Sequence, residues 1–224
     1  MSAVNAPATD GTEPLVIPGP AGRIEAALTL ASAPTQPVLA VVCHPLPTEG
    51  GTMHNKVVTM AARALRESGV ATLRFNFRGV GGSEGHFDEG RGELDDLRAV
   101  VRWARERHPD HTLWLAGFSF GAWIALRAAA ELGAAALITI APPVGRSWAF
   151  EGITLPAVPW LLIQGDVDEI VDPAAVRQWA AGLPKSPQLV EIEGASHFFH
   201  RKLMDLRGVV KNGVRGWLPA PPSA

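Results

Sequence analysis

Two kinds of apolar spacing alternate along the chain. Short runs that are apolar throughout, such as PVLAVVC at 37–43 and PWLLIQG at 159–165, suit strands covered on both faces. Between such runs lie segments with helical spacing. NKVVTMAARALRESG at 55–69 puts Val57, Val58, Met60, Ala61 and Leu65 on one face and ends at Gly69, a suitable cap. EPLVIPG and RIEAALTLA, separated by PAG, read as an antiparallel hairpin at the start.

The alternation continues with strand VATLRFNF (70–77), helix ELDDLRAVVRWARERH (93–108), strand TLWLAG (112–117) and helix AWIALRAAAEL (122–132). Strand AALITIAP (135–142), strand PWLLIQG, helix PAAVRQWAAGL (173–183), strand QLVEIEG (188–194) and a final helix near 199–211 complete it. There is no internal repeat. The pattern predicts an α/β fold: a mostly parallel central sheet with an antiparallel N-terminal hairpin and helices on both faces. A site in such a fold belongs at the carboxyl ends of the strands.

Length adds one expectation: 224 residues suit a single domain, placed at 13–217. The flanks at 1–12 and 218–224 are small, polar or proline-rich and are expected to be mobile. A formal net charge of -2 supplies no basic surface for a phosphate backbone, so nucleic acid is not an expected partner. The single cysteine, Cys43, excludes a disulfide framework and reads as a small buried hydrophobe. The start MSAVNAPATDGTEP has no basic or apolar leader character, and no apolar run reaches membrane-spanning length. The expectation is a cytoplasmic protein without membrane attachment; its oligomeric state is not legible.

The chemistry enters with a pattern that occurs twice. Gly81-Gly82-Ser83-Glu84-Gly85 and Gly117-Phe118-Ser119-Phe120-Gly121 both satisfy G-x-S-x-G. Ser83 lies in a long glycine-rich loop and reads as a turn residue. Ser119 follows a strand at once and precedes a helix at once, which is the strand-turn-helix context of a nucleophile elbow. There the Phe120 amide stands at a helix N-terminus without an intrahelical acceptor and is a candidate oxyanion donor. A serine hydroxyl needs a base that an acid orients. Asp166, Asp168 and Glu169 follow the strand PWLLIQG, and His197 follows QLVEIEG, giving the order Ser, Asp, His with each just past a strand.

These motifs, GFSFG, GDVDEIV and GASHFF, resemble those of the α/β-hydrolase superfamily over nearly the whole chain. The superfamily's G-x-x-D-x-x-V register implies Asp168 as the acid, with Asp166 as the competitor. HPLPTEGGTMHNKVV and RFNFRGVGGSEGHFDEGRGELDD resemble a small bacterial group of predicted hydrolases related to dienelactone hydrolases and acyl peptidases. In that group a second histidine often stands where this chain has Leu46. The departure bears on any side-chain role at 46 but not on its backbone. Register with the superfamily's His-Gly-x turn implies the Leu46 amide as the second oxyanion donor, with His44 positioning the loop.

Phe118, Trp148 and Phe198 are candidates to wall the pocket, and His54 and His86 are further candidates for which a surface-loop position is the favoured reading; Trp103, Trp123 and Trp179 sit in helical patterns and are expected in the core. His200 is expected to be exposed or supporting. The seven histidines show no metal-ligand spacing, so neither metal nor cofactor is implied. The 15-residue stretch PPVGRSWAFEGITLP is too short for a multi-helix cap, so no lid domain is expected. The expected function is a serine hydrolase cleaving carboxylic esters or thioesters of small soluble molecules. The alternatives are a serine peptidase or acyl-peptide hydrolase, and a hydrolase-fold protein that binds a ligand or partner without turnover.

Overall fold

The computed structural model describes residues 11–31 and 36–219. Most of the flanks expected at 1–12 and 218–224 lies outside the described residues; Thr12 already begins a strand. The hairpin forms as expected, from β1 (Thr12–Gly19) and β2 (Gly22–Thr29) in antiparallel register with Val16 opposite Glu25. β1 is a sheet edge, and Pro14 and Pro18 along it lack the N–H that a further strand would pair with.

The alternating part follows: β3 (Val38–Cys43), α1 (Lys56–Glu67), β4 (Ala71–Phe75), α2 (Arg91–Arg107), β5 (Thr112–Phe118), α3 (Phe120–Ala129), β6 (Ala136–Ile140), β7 (Trp160–Gly165), α4 (Pro173–Ala181), β8 (Gln188–Ile192) and α5 (Leu203–Val214). The eight strands make one sheet in the order β1-β2-β4-β3-β5-β6-β7-β8. β2 pairs antiparallel with β4, and every pairing from β4 to β8 is parallel.

The all-apolar β3 is explained by its two faces. Val38, Ala40 and Val42 pack with Val57, Val58, Ala61 and Leu65 of α1, while Leu39, Val41 and Cys43 pack with α2 and α3 residues such as Leu97 and Ile124. β7 behaves alike: Leu161 and Ile163 meet α5, and Leu162 meets Val176 and Ala180 of α4. Thus α1 and α5 cover one face and α2, α3 and α4 the other. Cys43 is wholly buried, and burial pushes its thiol far above the ordinary range.

The start of the last helix departs most from the periodicity. The last helix begins at Leu203 rather than near 199, because Phe199 (φ 53°) and Arg201 (φ 61°) adopt left-handed backbone that no helix can continue. Residues 198–202 form turns instead, which carry the chain away from His197.

Candidate active site

β5 ends in Phe118 and α3 begins at Phe120, leaving Ser119 alone at the junction with φ 53° and ψ −120°. Such a conformation costs a non-glycine residue about 1–3 kcal/mol and persists only where the surroundings enforce it. They do so by close approach. A Cβ on Gly117 would lie 2.2 Å from Gly121 O, and one on Gly121 would lie 2.5 Å from both Cys43 O and His44 O. The Ser119 amide is held by Ile140 O at 2.8 Å, so the turn is fastened to β6 as well.

His197 lies over this turn, 2 % exposed. Its Nε2 is 3.2 Å from Ser119 Oγ and its Nδ1 is 2.8 Å from Asp168 Oδ2. Asp168 is also buried, and its two oxygens are fully engaged. Oδ1 accepts from the Ile170 and Val171 amides at 2.9 and 2.8 Å, while Oδ2 accepts from Gln164 Nε2 at 2.9 Å in addition to His197. Burial works against the charge, but the bonds from His197 and these amides outweigh it and hold the carboxyl below its ordinary range. An ionised carboxylate only accepts, so Nδ1 carries the imidazole proton and Nε2 is left as the acceptor facing Ser119.

Asp166, the competing acid, has a different partner: its Oδ1 accepts from the Gly194 amide at 2.6 Å. Together with the Glu169 carboxylate, which accepts from the His197 amide at 3.1 Å, it laces the loop after β7 to the loop after β8. The sequence reading missed the contributions of Glu169 and Gln164. The only signal was the density of acids in GDVDE.

Two amides near Ser119 have no acceptor among the described residues: Phe120 N at the start of α3, and Leu46 N in the loop after β3. Pro45, Leu46, Glu49, Gly51, Ser119 and Phe120 line an open cleft of about 580 Å³. Pro143, Arg146 and Trp148 from the β6–β7 connection line it as well, as do Glu169, Ile170, His197 and Phe198.

Of the expected lining residues, Trp148 and Phe198 are there. Phe118 is not on the wall; it is 1 % exposed and supports the His197 ring from beneath, centroids 5.0 Å apart. His54 and His86 are exposed and absent from the cleft. His54 stands just before the α1 cap Asn55, and the loop bearing His86 folds back onto the hairpin, where Glu84 pairs with Arg23. Of the tryptophans, Trp123 is buried, while Trp103 and Trp179 pack against the core from partly buried positions.

Ser83 is buried and bonded elsewhere than to His197: its Oγ accepts from the Glu25 amide at 2.9 Å and donates to Asn76 O at 2.7 Å. Between β6 and β7 the chain forms turns and no helix, so among the described residues nothing covers the cleft as a lid would.

Sheet order, elbow and uncovered cleft define a small lidless member of the α/β-hydrolase superfamily. The chain belongs to the family described as serine aminopeptidase, S33, whose model matches residues 40–156. It is similar to XC6422 of Xanthomonas campestris, described as an α/β serine hydrolase without lid, at 58 % identity, covering 97 % of this chain and 100 % of that one with a TM-score of 0.91. An α/β serine hydrolase homologue from Coxiella burnetii is 44 % identical over 90 % of this chain and 97 % of its own, TM-score 0.87. The uncharacterized protein RP471 of Rickettsia prowazekii is 38 % identical over 195 residues, covering 82 % of this chain and 81 % of its own.

Proposed function

We propose that this protein is a serine esterase that cleaves carboxylic esters or thioesters of small soluble substrates through an acyl-enzyme. The observation that carries the reading is the buried hydrogen-bond chain from Asp168 through His197 to a strained serine flanked by two amides without acceptors. Ser119 Oγ attacks the acyl carbonyl while His197 Nε2 takes its proton. The carbonyl oxygen becomes an oxyanion between Phe120 N–H and Leu46 N–H, and each such donor is worth about 3 kcal/mol in the transition state. On collapse, His197 returns the proton to the leaving alkoxide or thiolate. Water, deprotonated by the same nitrogen, then releases the acid and restores the hydroxyl. Asp168 holds the tautomer and balances the imidazolium. No cofactor enters these steps.

A peptidase reading has one observation in its favour. Glu49 and Glu169 both line the cleft and are of the charge that would hold a substrate's free amino terminus, whereas Arg146 on the same cleft opposes it.

The test is hydrolysis of p-nitrophenyl esters from two to twelve carbons, beside aminoacyl p-nitroanilides, by the wild type, Ser119→Ala and Ser83→Ala. Ester turnover that vanishes only in Ser119→Ala is the expected result. Turnover of the anilides alone would transfer the proposal to the peptidase, and an active Ser119→Ala would refute the mechanism.

A further inference from the structure

We propose that Glu169 makes the His197 end of the cleft select its leaving group by charge: esters and thioesters of alkylammonium alcohols or thiols are preferred, and anionic leaving groups are turned away. The inference rests on the serine-hydrolase reading above and names a substrate class for that site.

An acyl carbon bonded to Ser119 Oγ carries three other substituents, and each has its own direction. The oxyanion lies between the Phe120 and Leu46 amides. The leaving atom lies at His197 Nε2, because the proton taken from Ser119 passes to that atom as its bond to carbon breaks. The acyl chain takes the direction that remains. His197 and Phe198 reach the elbow from the side of Phe118, on the sheet face covered by α1 and α5. Trp148 reaches it from the other face, against Phe120 and Trp123 of α3. The wall bearing Trp148 and Arg146 therefore borders the acyl direction, and the neighbours of His197 border the leaving group.

Glu169 and Phe198 are those neighbours. The Glu169 carboxylate accepts from the His197 amide at 3.1 Å and lines the cleft, and no cation pairs with it among the described residues. Phe198 is 37 % exposed and stands edge-on to the imidazole, centroids 5.1 Å apart. An exposed aromatic ring beside a carboxylate suits an ammonium ion, which the ring quadrupole and the charge both attract. Glu49 brings a second negative charge into the cleft from the loop that bears Leu46. For an anion this end has no partner: among the described residues the only Lys or Arg lining the cleft is Arg146, on the acyl side.

The experiment uses three thioesters with one acyl group: acetylthiocholine, its neutral isostere S-(3,3-dimethylbutyl) thioacetate, and the anionic S-(2-sulfonatoethyl) thioacetate. Thiol release gives kcat/KM for wild type, Glu169→Gln and Arg146→Gln, with Ser119 labelling by diisopropyl fluorophosphate alongside. Glutamine keeps an acceptor for the His197 amide and removes only the charge. The expected wild-type order is cation, neutral, anion. Glu169→Gln is expected to lower the cation-to-anion ratio roughly tenfold, as for two units of charge difference acting through a largely aqueous cleft. Arg146→Gln removes a positive charge from farther off and moves the ratio less, and upward. Added salt screens the wild-type ratio toward that of Glu169→Gln. A wild type without preference for the cation, or a ratio that Glu169→Gln leaves unchanged, overturns the proposal while the serine-hydrolase reading stands. So does a wild type that is labelled at Ser119 and turns over none of the three. A wild type that is inert and unlabelled overturns both. Should Glu169→Gln disturb His197, all three substrates slow together and the ratio still decides.

Discussion

The two acids two residues apart separate cleanly by what each touches. Asp168 meets the imidazole Nδ1, whereas Asp166 meets the Gly194 amide. An amide in place of Asp168 can present its N–H to Nδ1 and favour the wrong tautomer, and in a hydrolase that change is worth about 10⁴ in kcat. Asp168→Asn is therefore expected to lose roughly that factor, while Asp166→Asn keeps an acceptor for Gly194 and stays within about tenfold of wild type; steady-state kinetics on one ester checks both. His44 carries a pH-dependent prediction. Burial lowers its pKa to about 4 when folded, against 6.5 ordinarily. Between those values the unfolded chain binds a proton that the folded chain does not. Stability is therefore full above about pH 6.5 and declines as the pH falls to about 4, by roughly 3 kcal/mol in all. Urea unfolding at pH 7 and pH 4.5 is expected to show this loss in the wild type and a smaller one in His44→Phe.

At the scale of elements, the loop that bears the first G-x-S-x-G, around Ser83, ties β4 to the hairpin. Ser83 bridges the Glu25 amide and Asn76 O, and the Glu25 carboxylate in turn accepts from Asn76 Nδ2 and the Gly82 amide at 2.7 Å each. Ser83→Ala leaves buried Asn76 O without that donor and is expected to cost about 1–3 kcal/mol with kcat unchanged, read by denaturant unfolding beside ester kinetics. The two serines also mark the limit of what the chain reveals on its own. The elbow at Ser119 was legible because its determinants are local: a strand, two glycines and a helix in immediate succession. The order of strands and helices was legible for the same reason, since each apolar run carries its own period. Ser83's partners lie 7 and 58 residues away and Glu169's lies 28 away, distances over which no spacing rule operates. Whether His54 and His86 reach the cleft stays open in the sequence, with a surface loop favoured, because the path of a loop depends on the surface it folds against, and the late start of α5 depends on two left-handed residues with no glycine to announce them.

Across the whole molecule, the sheet presents its elbow at the carboxyl edge and the β6–β7 connection becomes a wall instead of a cover. Trp148 packs at 4.9 Å from Phe120 and 4.8 Å from Trp123, and Trp123 Nε1 donates to Ala149 O at 2.8 Å. Arg127 lies over the far face of this cluster, 4.4 Å from the Trp123 ring, and reaches Gly90 O at 3.0 Å. The wall is thereby pinned to α3 and to the loop preceding α2, and no closed state has to open before substrate enters. Lid-gated hydrolases gain activity when a lipid surface draws the cover aside; here the rate should rise hyperbolically with ester concentration and show no jump where the substrate begins to form droplets. Trp123→Phe keeps the ring in the cluster but removes the donor to Ala149. The wall that carries Trp148 and Arg146 then loses its anchor while Ser119, His197 and Asp168 keep theirs. The expected signature is a several-fold higher KM with kcat nearly unchanged, measured on soluble esters. A fall in kcat at constant KM would instead mean that the Trp123 side chain acts through the elbow beneath it.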